Sequence, residues 1–247
     1  MGAELGVLGG PVPAGAAARE RLRDRRFFTG MALACLLVVL VGFAPTYYLG
    51  PLLGTRPLTP LVHLHGAVFT LWCLLFLTQT SLVAARRTDL HRRLGVAGGV
   101  LAVIMLVVGY LTAIEAARRG VAPRGRPPLE FLSVPLGTLL VFAILAAAAL
   151  RNRRRSEIHK RWMLLASIAL LPPAFARMVF IGSGGPVVAM AGTTLLVAAC
   201  LVYDRAAHGR VHPVFLWGGL FLVLSFPARI ALGTTDAWLS VARWLLG

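Results

Sequence analysis

Acidic residues are scarce in this 247-residue chain: 9 Asp and Glu stand against 25 Lys and Arg, a formal charge of +16 with histidine neutral. Charge of either sign is thin, at 14% of residues, whereas 58% are hydrophobic and the mean hydropathy is +0.79. An ordinary soluble domain is roughly 45–50% apolar, so composition excludes that class and predicts an integral membrane protein. Only three cysteines occur, Cys35, Cys73 and Cys200, each within an apolar run and without paired spacing. That excludes a disulfide framework and a thiolate zinc site. The single lysine, Lys160, lies at the edge of an apolar run and not in the seventh one, which excludes a retinal protein. No Ser-His-acid order, His-Glu-x-x-His motif or paired mid-membrane carboxylate is present, which argues against a membrane hydrolase. On a soluble chain the basic excess would point to nucleic acid. Here it sits between apolar runs, where it orients a membrane protein, so no nucleic-acid partner is expected.

A spanning helix needs about 20 mostly apolar residues. Seven segments qualify: 28–49, 62–84, 94–114, 131–150, 161–181, 186–203 and 213–232. The sixth is short and contains Gly192, Thr193 and Thr194, so it is the weakest. The expected fold is an all-α integral membrane bundle of about seven transmembrane helices. Residues 1–27 read as a disordered basic cytoplasmic tail, 28–232 as the transmembrane domain, and 233–247 as an interfacial amphipathic segment. The first apolar run is too long for a signal h-region and lacks a clear cleavage site, so it reads as an uncleaved helix. With the N-terminus inside, 17 of the 25 basic residues fall on the inner side and six on the outer, Arg177 and Arg229 lying within helices. This positive-inside bias predicts N-terminus in and C-terminus out, in a bacterial inner membrane.

Two inner loops carry nearly the same text. Arg87-Thr88-Asp89-Leu90-His91-Arg92-Arg93-Leu94 aligns without gaps with Arg155-Ser156-Glu157-Ile158-His159-Lys160-Arg161-Trp162, an offset of 68 residues. Each copy follows an inward helix and opens an outward one, so the unit is a repeated helical hairpin. Thr88 and Ser156 are suited to N-capping, and Asp89 and Glu157 complement the helix dipole in the first turn. His91 and His159 then fall at the third helical residue, where the dipole and nearby arginines favour neutral imidazole. Neutral imidazole is the form that ligates iron, copper or zinc. The bland reading makes them interfacial histidines in a relic of duplication.

On the outer side, His63 and His65 lie two residues apart at the start of the second helix, so only one can face inward, and His65 is preferred. Gly66 admits a close backbone or a flat ligand. His65, Trp72 and Gln79 form a stripe, either a conduit or a packed face. Glu115 or Glu130 is expected to pair with Arg177 or Arg229, because a lone charge at that depth is costly. Pro172-Pro173 must kink or break the fifth helix. Gly95 and Gly99 give the third a small packing face, and Gly182 to Pro186 is a turn. His208 and His212 sit in the last inner loop, where Pro213 marks a rigid helix start.

Taken in order, His65-Gly66, Gln79, His91-Arg92-Arg93-Leu94-Gly95 and His159-Lys160-Arg161-Trp162-Met163 resemble an uncharacterised bacterial multi-spanning family, a domain-of-unknown-function group. The resemblance covers roughly residues 60–180 and implies a helical bundle in the plasma membrane, but no reaction. The chain is also loosely similar to transmembrane b-type cytochromes, whose histidines on neighbouring helices ligate haem. It departs from them in placing its histidines at helix ends and in offering His65 no obvious partner.

The leading expectation is therefore an inner-membrane protein that binds haem b or a transition metal and acts in electron transfer. His91 and His159 are the ligands, His65 a further ligand or proton relay, and Arg92, Arg93 and Arg161 neutralise propionates. The alternatives are a non-catalytic assembly or structural partner of a respiratory complex, or a small-molecule transporter. Expected partners are the lipid bilayer and respiratory-chain or self-association partners.

Overall fold

The computed structural model describes residues 14–55, 57–123, 125–178 and 184–247, and helices account for its regular structure. Residues 1–13 of the expected 1–27 tail lie outside the described residues, and Ala14 onward is already helical. Helix α1 (Ala14–Phe43) therefore begins well before the apolar run, and a π-turn (Ala44–Tyr48) around Pro45 ends it. Helix α2 (Pro60–Ala84) starts at a Thr59 cap with proline in its first turn, and α3 (Thr88–Arg118) follows after a tight turn. The short α4 (Pro128–Phe131) leads into α5 (Ser133–Arg151). Helix α8 (Gly185–His208) ends at Gly209 in the left-handed conformation that closes a helix without Cβ strain. Helix α9 (Pro213–Gly233) follows His212, whose Nδ1 accepts the Val214 N–H at 3.1 Å, so the Pro213 start is as rigid as expected. Helix α10 (Asp236–Leu246) is amphipathic and lies across the end of the bundle far from the arginine-rich loops. There Trp238 donates to the Leu129 carbonyl at 2.9 Å.

Among the described residues six helices are long and apolar enough to cross a membrane, the short sixth predicted segment among them, and the protein is a multi-pass helical membrane bundle. The expected fifth span is not one of the six. It is two pieces, α6 (Ser156–Ile168) and α7 (Pro172–Phe175), because Pro172 and Pro173 lack the N–H groups that would continue α6. Lys160 in α6 reaches Asp24, and the Ala174 backbone in α7 presses on Gly42. Those two α1 positions are separated by about 27 Å of helix. The broken segment thus runs beside α1 from Asp24 to Gly42.

Phe142, Phe215, Met105, Leu164, Leu165 and Leu222 are the large fully buried centre of this packing. Large apolar side chains also cover the outside, as at Leu37, Val103, Leu140, Leu195 and Trp217, the pattern of a surface that meets lipid. Glycines set the closest helix approaches. A Cβ on Gly42 would stand 2.4 Å from the Ala174 carbonyl oxygen, and one on Gly137 would stand 2.3 Å from the Arg229 Cδ. Gly66 is filled by the ring of Tyr47, so the close neighbour expected there is a side chain of this chain.

Gly42→Ala should therefore lower stability by about 1–3 kcal/mol, since a backbone cannot move aside as a side chain can. Gly30→Ala, at a position with open space, should show no loss. Thermal unfolding of the two variants in detergent is the check.

Candidate functional site at the basic end of the bundle

The arginine-rich loops converge at one end of the bundle, and the carboxylates that neutralise them come from inside it. Asp204, in the last turns of α8, is wholly buried. Its carboxylate accepts Arg161 in a fork, Nη2 at 2.7 Å and Nε at 3.1 Å, and also the backbone N–H of His212 at 3.0 Å. Arg161 is 2% exposed and gives its remaining nitrogen, Nη1, to Glu157 at 2.9 Å, with Phe215 beneath the guanidinium. Asp24 of α1 takes Lys160 and the hydroxyl of Tyr203. His208 stands between the half-buried Asp24 and the buried Asp204, Nε2 at 3.2 Å from the first and Nδ1 at 3.3 Å from the second. The second approach is within ion-pair distance without the alignment of a hydrogen bond. Helices α1, α6 and α8 and the start of α9 are thus tied by one network.

Glu157 is the outermost member. Partial burial works against its charge, but hydrogen bonds from Lys160 (2.7 Å) and Arg161 outweigh that and hold its carboxyl below the usual range. His212 is shifted down by burial and then by the nearby Arg161 charge, which keeps its Nδ1 free to accept at the α9 start.

Beside this network the repeated motif brings its two histidines together. The His91 and His159 rings stand 6.4 Å apart, centre to centre, at 78°. The two copies share backbone form: His91 N–H donates to the Arg87 carbonyl at 3.1 Å, and His159 N–H to the Arg155 carbonyl at 2.9 Å. Thr88 and Ser156 are not the expected caps. Arg87 and Arg155 occupy the capping positions, no hydroxyl caps either helix, and each histidine is therefore the fourth helical residue. Asp89 and Glu157 do fall in the first turns. His159 Nδ1 bonds the Ala149 carbonyl at 2.8 Å, which fixes that ring and leaves Nε2 as its other nitrogen. His91 Nδ1 is buried without a partner, and so is the Oε1 of Gln79, on the helix paired with α3. Arg92 and Arg93 are exposed. Arg161 is not available for a propionate as expected, because Asp204 and Glu157 occupy its guanidinium.

The remaining candidates lie elsewhere. His65 faces inward as preferred and His63 is exposed; the His65 ring stacks on Phe69 at 4.2 Å, and its Nδ1 has no partner. The structure does not gather His65 with His91 and His159: it shares α2 with Gln79, four turns along. Trp72 between them is packed, donating to Ser167 Oγ at 3.3 Å and meeting Phe142 edge to face. The stripe is a packed face at its centre. The expected acid–arginine latch does not form. Glu115 pairs with Arg119 one turn on at 2.8 Å, and Arg177 lies over Phe43 and donates to Pro173 O. Arg229 donates to Thr138 Oγ1 at 2.5 Å and Ser225 O at 2.9 Å, with no carboxylate within ion-pair distance among the described residues. Among the described residues no group of three or more His, Cys, Asp or Glu side chains could hold a metal ion, so any metal centre here rests on two histidines.

Asp24 and Asp204 are the members that sequence reasoning missed. The available signal was their setting: Asp24 is flanked by arginines within the first arginine run, and Asp204 stands at the end of an apolar helix with His208 a turn beyond. No family model, curated protein or solved structure matches this chain.

Asp204→Asn should destabilise the protein by about 3–5 kcal/mol, because it leaves the buried Arg161 charge uncompensated; denaturation in detergent reads this out. Glu157 titrates lower when folded than when unfolded, so its contribution is complete above the unfolded carboxylate range and is lost as pH falls through the depressed folded value. Glu157→Gln should flatten that acid limb of the melting temperature against pH and leave the neutral limb unchanged in slope.

Proposed function

We propose that the working centre of this protein is the His91–His159 pair, which holds a transition metal as haem b iron or as a single ion and serves electron transfer in a bacterial inner membrane. One observation carries the reading: a duplicated motif delivers two imidazoles to one place, 6.4 Å between ring centres. Two imidazoles at this separation would both be within reach of one metal, whose bonds to histidine nitrogen run about 2.0–2.1 Å. The surroundings fit the donor set. His159 is oriented through Nδ1 by a backbone carbonyl, the usual support for a ligating histidine. His91 retains a buried nitrogen with no protein partner, a cost that a ligand would remove.

For haem, Arg92 and Arg93 remain as the guanidiniums that meet propionates, and His65 is too far along α2 to share the centre. A bound iron would supply one-electron chemistry. The chain's own part is to hold two neutral imidazoles, keep their orientation and exclude water with the apolar flanks of α3 and α6. The basic end is then the cytoplasmic side, by the positive-inside distribution. Membership of the uncharacterised multi-spanning family that the His-Gly, His-Arg-x-x-Gly and His-Lys-x-Trp-Met order resembles forms part of the same proposal.

The purified protein should show a Soret band that shifts on reduction or, failing haem, about one equivalent of metal by elemental analysis. His91→Ala and His159→Ala should each abolish it, while His63→Ala leaves it intact. Protein that contains neither haem nor metal after expression with both supplied overturns the reading. Stable co-purification of such protein with respiratory subunits would put an assembly partner in its place.

A further inference from the structure

Helix α1 has two polar faces at the basic end, and only one is used by the buried network. Glu20 and Asp24 turn to His208, at 3.5 and 3.2 Å. A different face of the same turns, Ala18, Arg21, Leu22 and Arg25, walls a cleft of about 270 Å³ closed by Arg86 from the turn between α2 and α3. Arg21, Arg25 and Arg86 form no ion pair among the described residues. Arg25 is tethered by a 3.4 Å bond to the Ala84 carbonyl at the end of α2, which holds the two walls together. Three arginines thus line one cleft together with an alanine and a leucine; their aliphatic stems make most of its wall, and no carboxylate lines it.

Arg86 is a second, independent sign. The end of α2 closes with Arg87 N–H on the Leu82 carbonyl (2.8 Å) and Arg86 N–H on the Val83 carbonyl (3.1 Å), a left-handed helix ending. Glycine is the usual occupant of that position. Here it is arginine at φ 60°, the one residue other than glycine with positive φ among the described residues. An L-residue held in that region stores backbone strain, and such strain is retained where the side chain has work to do. This backbone places a third arginine in the wall of the cleft that Arg21 and Arg25 line.

We propose that this cleft binds a phosphate-bearing anion, supplied in the membrane by the headgroup of an anionic phospholipid and held by Arg21, Arg25 and Arg86. Planar guanidiniums match phosphate oxygens in paired hydrogen bonds, and three of them satisfy a phosphodiester on several sides. Leu22, 48% exposed, and Ala18 offer the apolar surface that a glycerol backbone needs and a free anion does not. A basic recess between helices at the level of the headgroups is where such lipids are recognised. The site is separate from the His91–His159 pair and does not depend on it.

The test uses the full chain in zwitterionic detergent, titrated with phosphatidylglycerol, with phosphatidylcholine, or with inorganic phosphate, and read by native mass spectrometry and melting temperature. Phosphatidylglycerol should bind and raise the melting temperature, and phosphatidylcholine should not. Arg86→Gly should reduce that binding about tenfold or more, the loss of one charge-assisted contact. It should leave the lipid-free melting temperature equal or higher, because glycine relieves the strained backbone. Arg21→Gln should weaken binding to a similar degree, whereas the Arg153→Gln/Arg154→Gln pair, which removes two charges from another loop, should not. Binding unaffected by Arg86→Gly and Arg21→Gln, or lost equally in the control pair, overturns the proposal. If inorganic phosphate alone reproduces the arginine-dependent shift and phosphatidylglycerol adds nothing, the lipid assignment falls and a phosphate site stands.

Discussion

The fork between Arg161 and Asp204 organises the basic end of this bundle. A fully buried carboxylate and a guanidinium of 2% exposure are each costly in an apolar interior, and each is tolerable because the other is present with good geometry and extra donors. The pair clamps α6 to α8, and the His212 backbone N–H on the same carboxylate sets where α9 begins. Because Arg161 is two residues after His159, the clamp also sets the height and rotation of that imidazole. The neighbouring Lys160 repeats the arrangement towards α1 through Asp24. A discontinuous helix of 13 residues would have little reason to keep a fixed rotation without these anchors.

The two ends of the molecule handle buried charge differently. At the basic end, cations meet carboxylates. At the other end, Arg229 is 6% exposed yet relies on neutral oxygens and the face of Phe226. Gly137 makes room for its aliphatic stem. A cation shared among a hydroxyl, a carbonyl and an aromatic ring is less compensated than one in a fork. Its snug packing against glycine holds it in one orientation.

Much of the architecture was legible because membrane spans impose long apolar runs and basic flanks, and six of the seven expected runs are continuous helices. The seventh was legible in part. Pro172-Pro173 announces a break, but the consequence for the path depends on Gly42 and Ala174 meeting, which is a matter of packing. The pairing of His91 with His159 was legible from the repeated text, since equal local signals give equal backbone. Whether Thr88 and Ser156 capped their helices was not, because the torsions of the preceding arginines decide it. The acid–arginine latch failed for a local reason: Glu115 has Arg119 within a single turn, and a neighbour on the same helix needs no tertiary accuracy. Asp204 was invisible to a search for mid-membrane acids because it lies near a helix end and is buried by its neighbours there.

The repeat has a final consequence for symmetry. Two hairpins that enter in the same sense are related by rotation about an axis along the membrane normal. The rings of His91 and His159, one from each hairpin, meet edge to face. They are alike in sequence context but unlike in restraint, since one ring is anchored on the Ala149 carbonyl and the other has a free Nδ1. Duplication thus yields two imidazoles in like backbone settings with different hydrogen-bond surroundings.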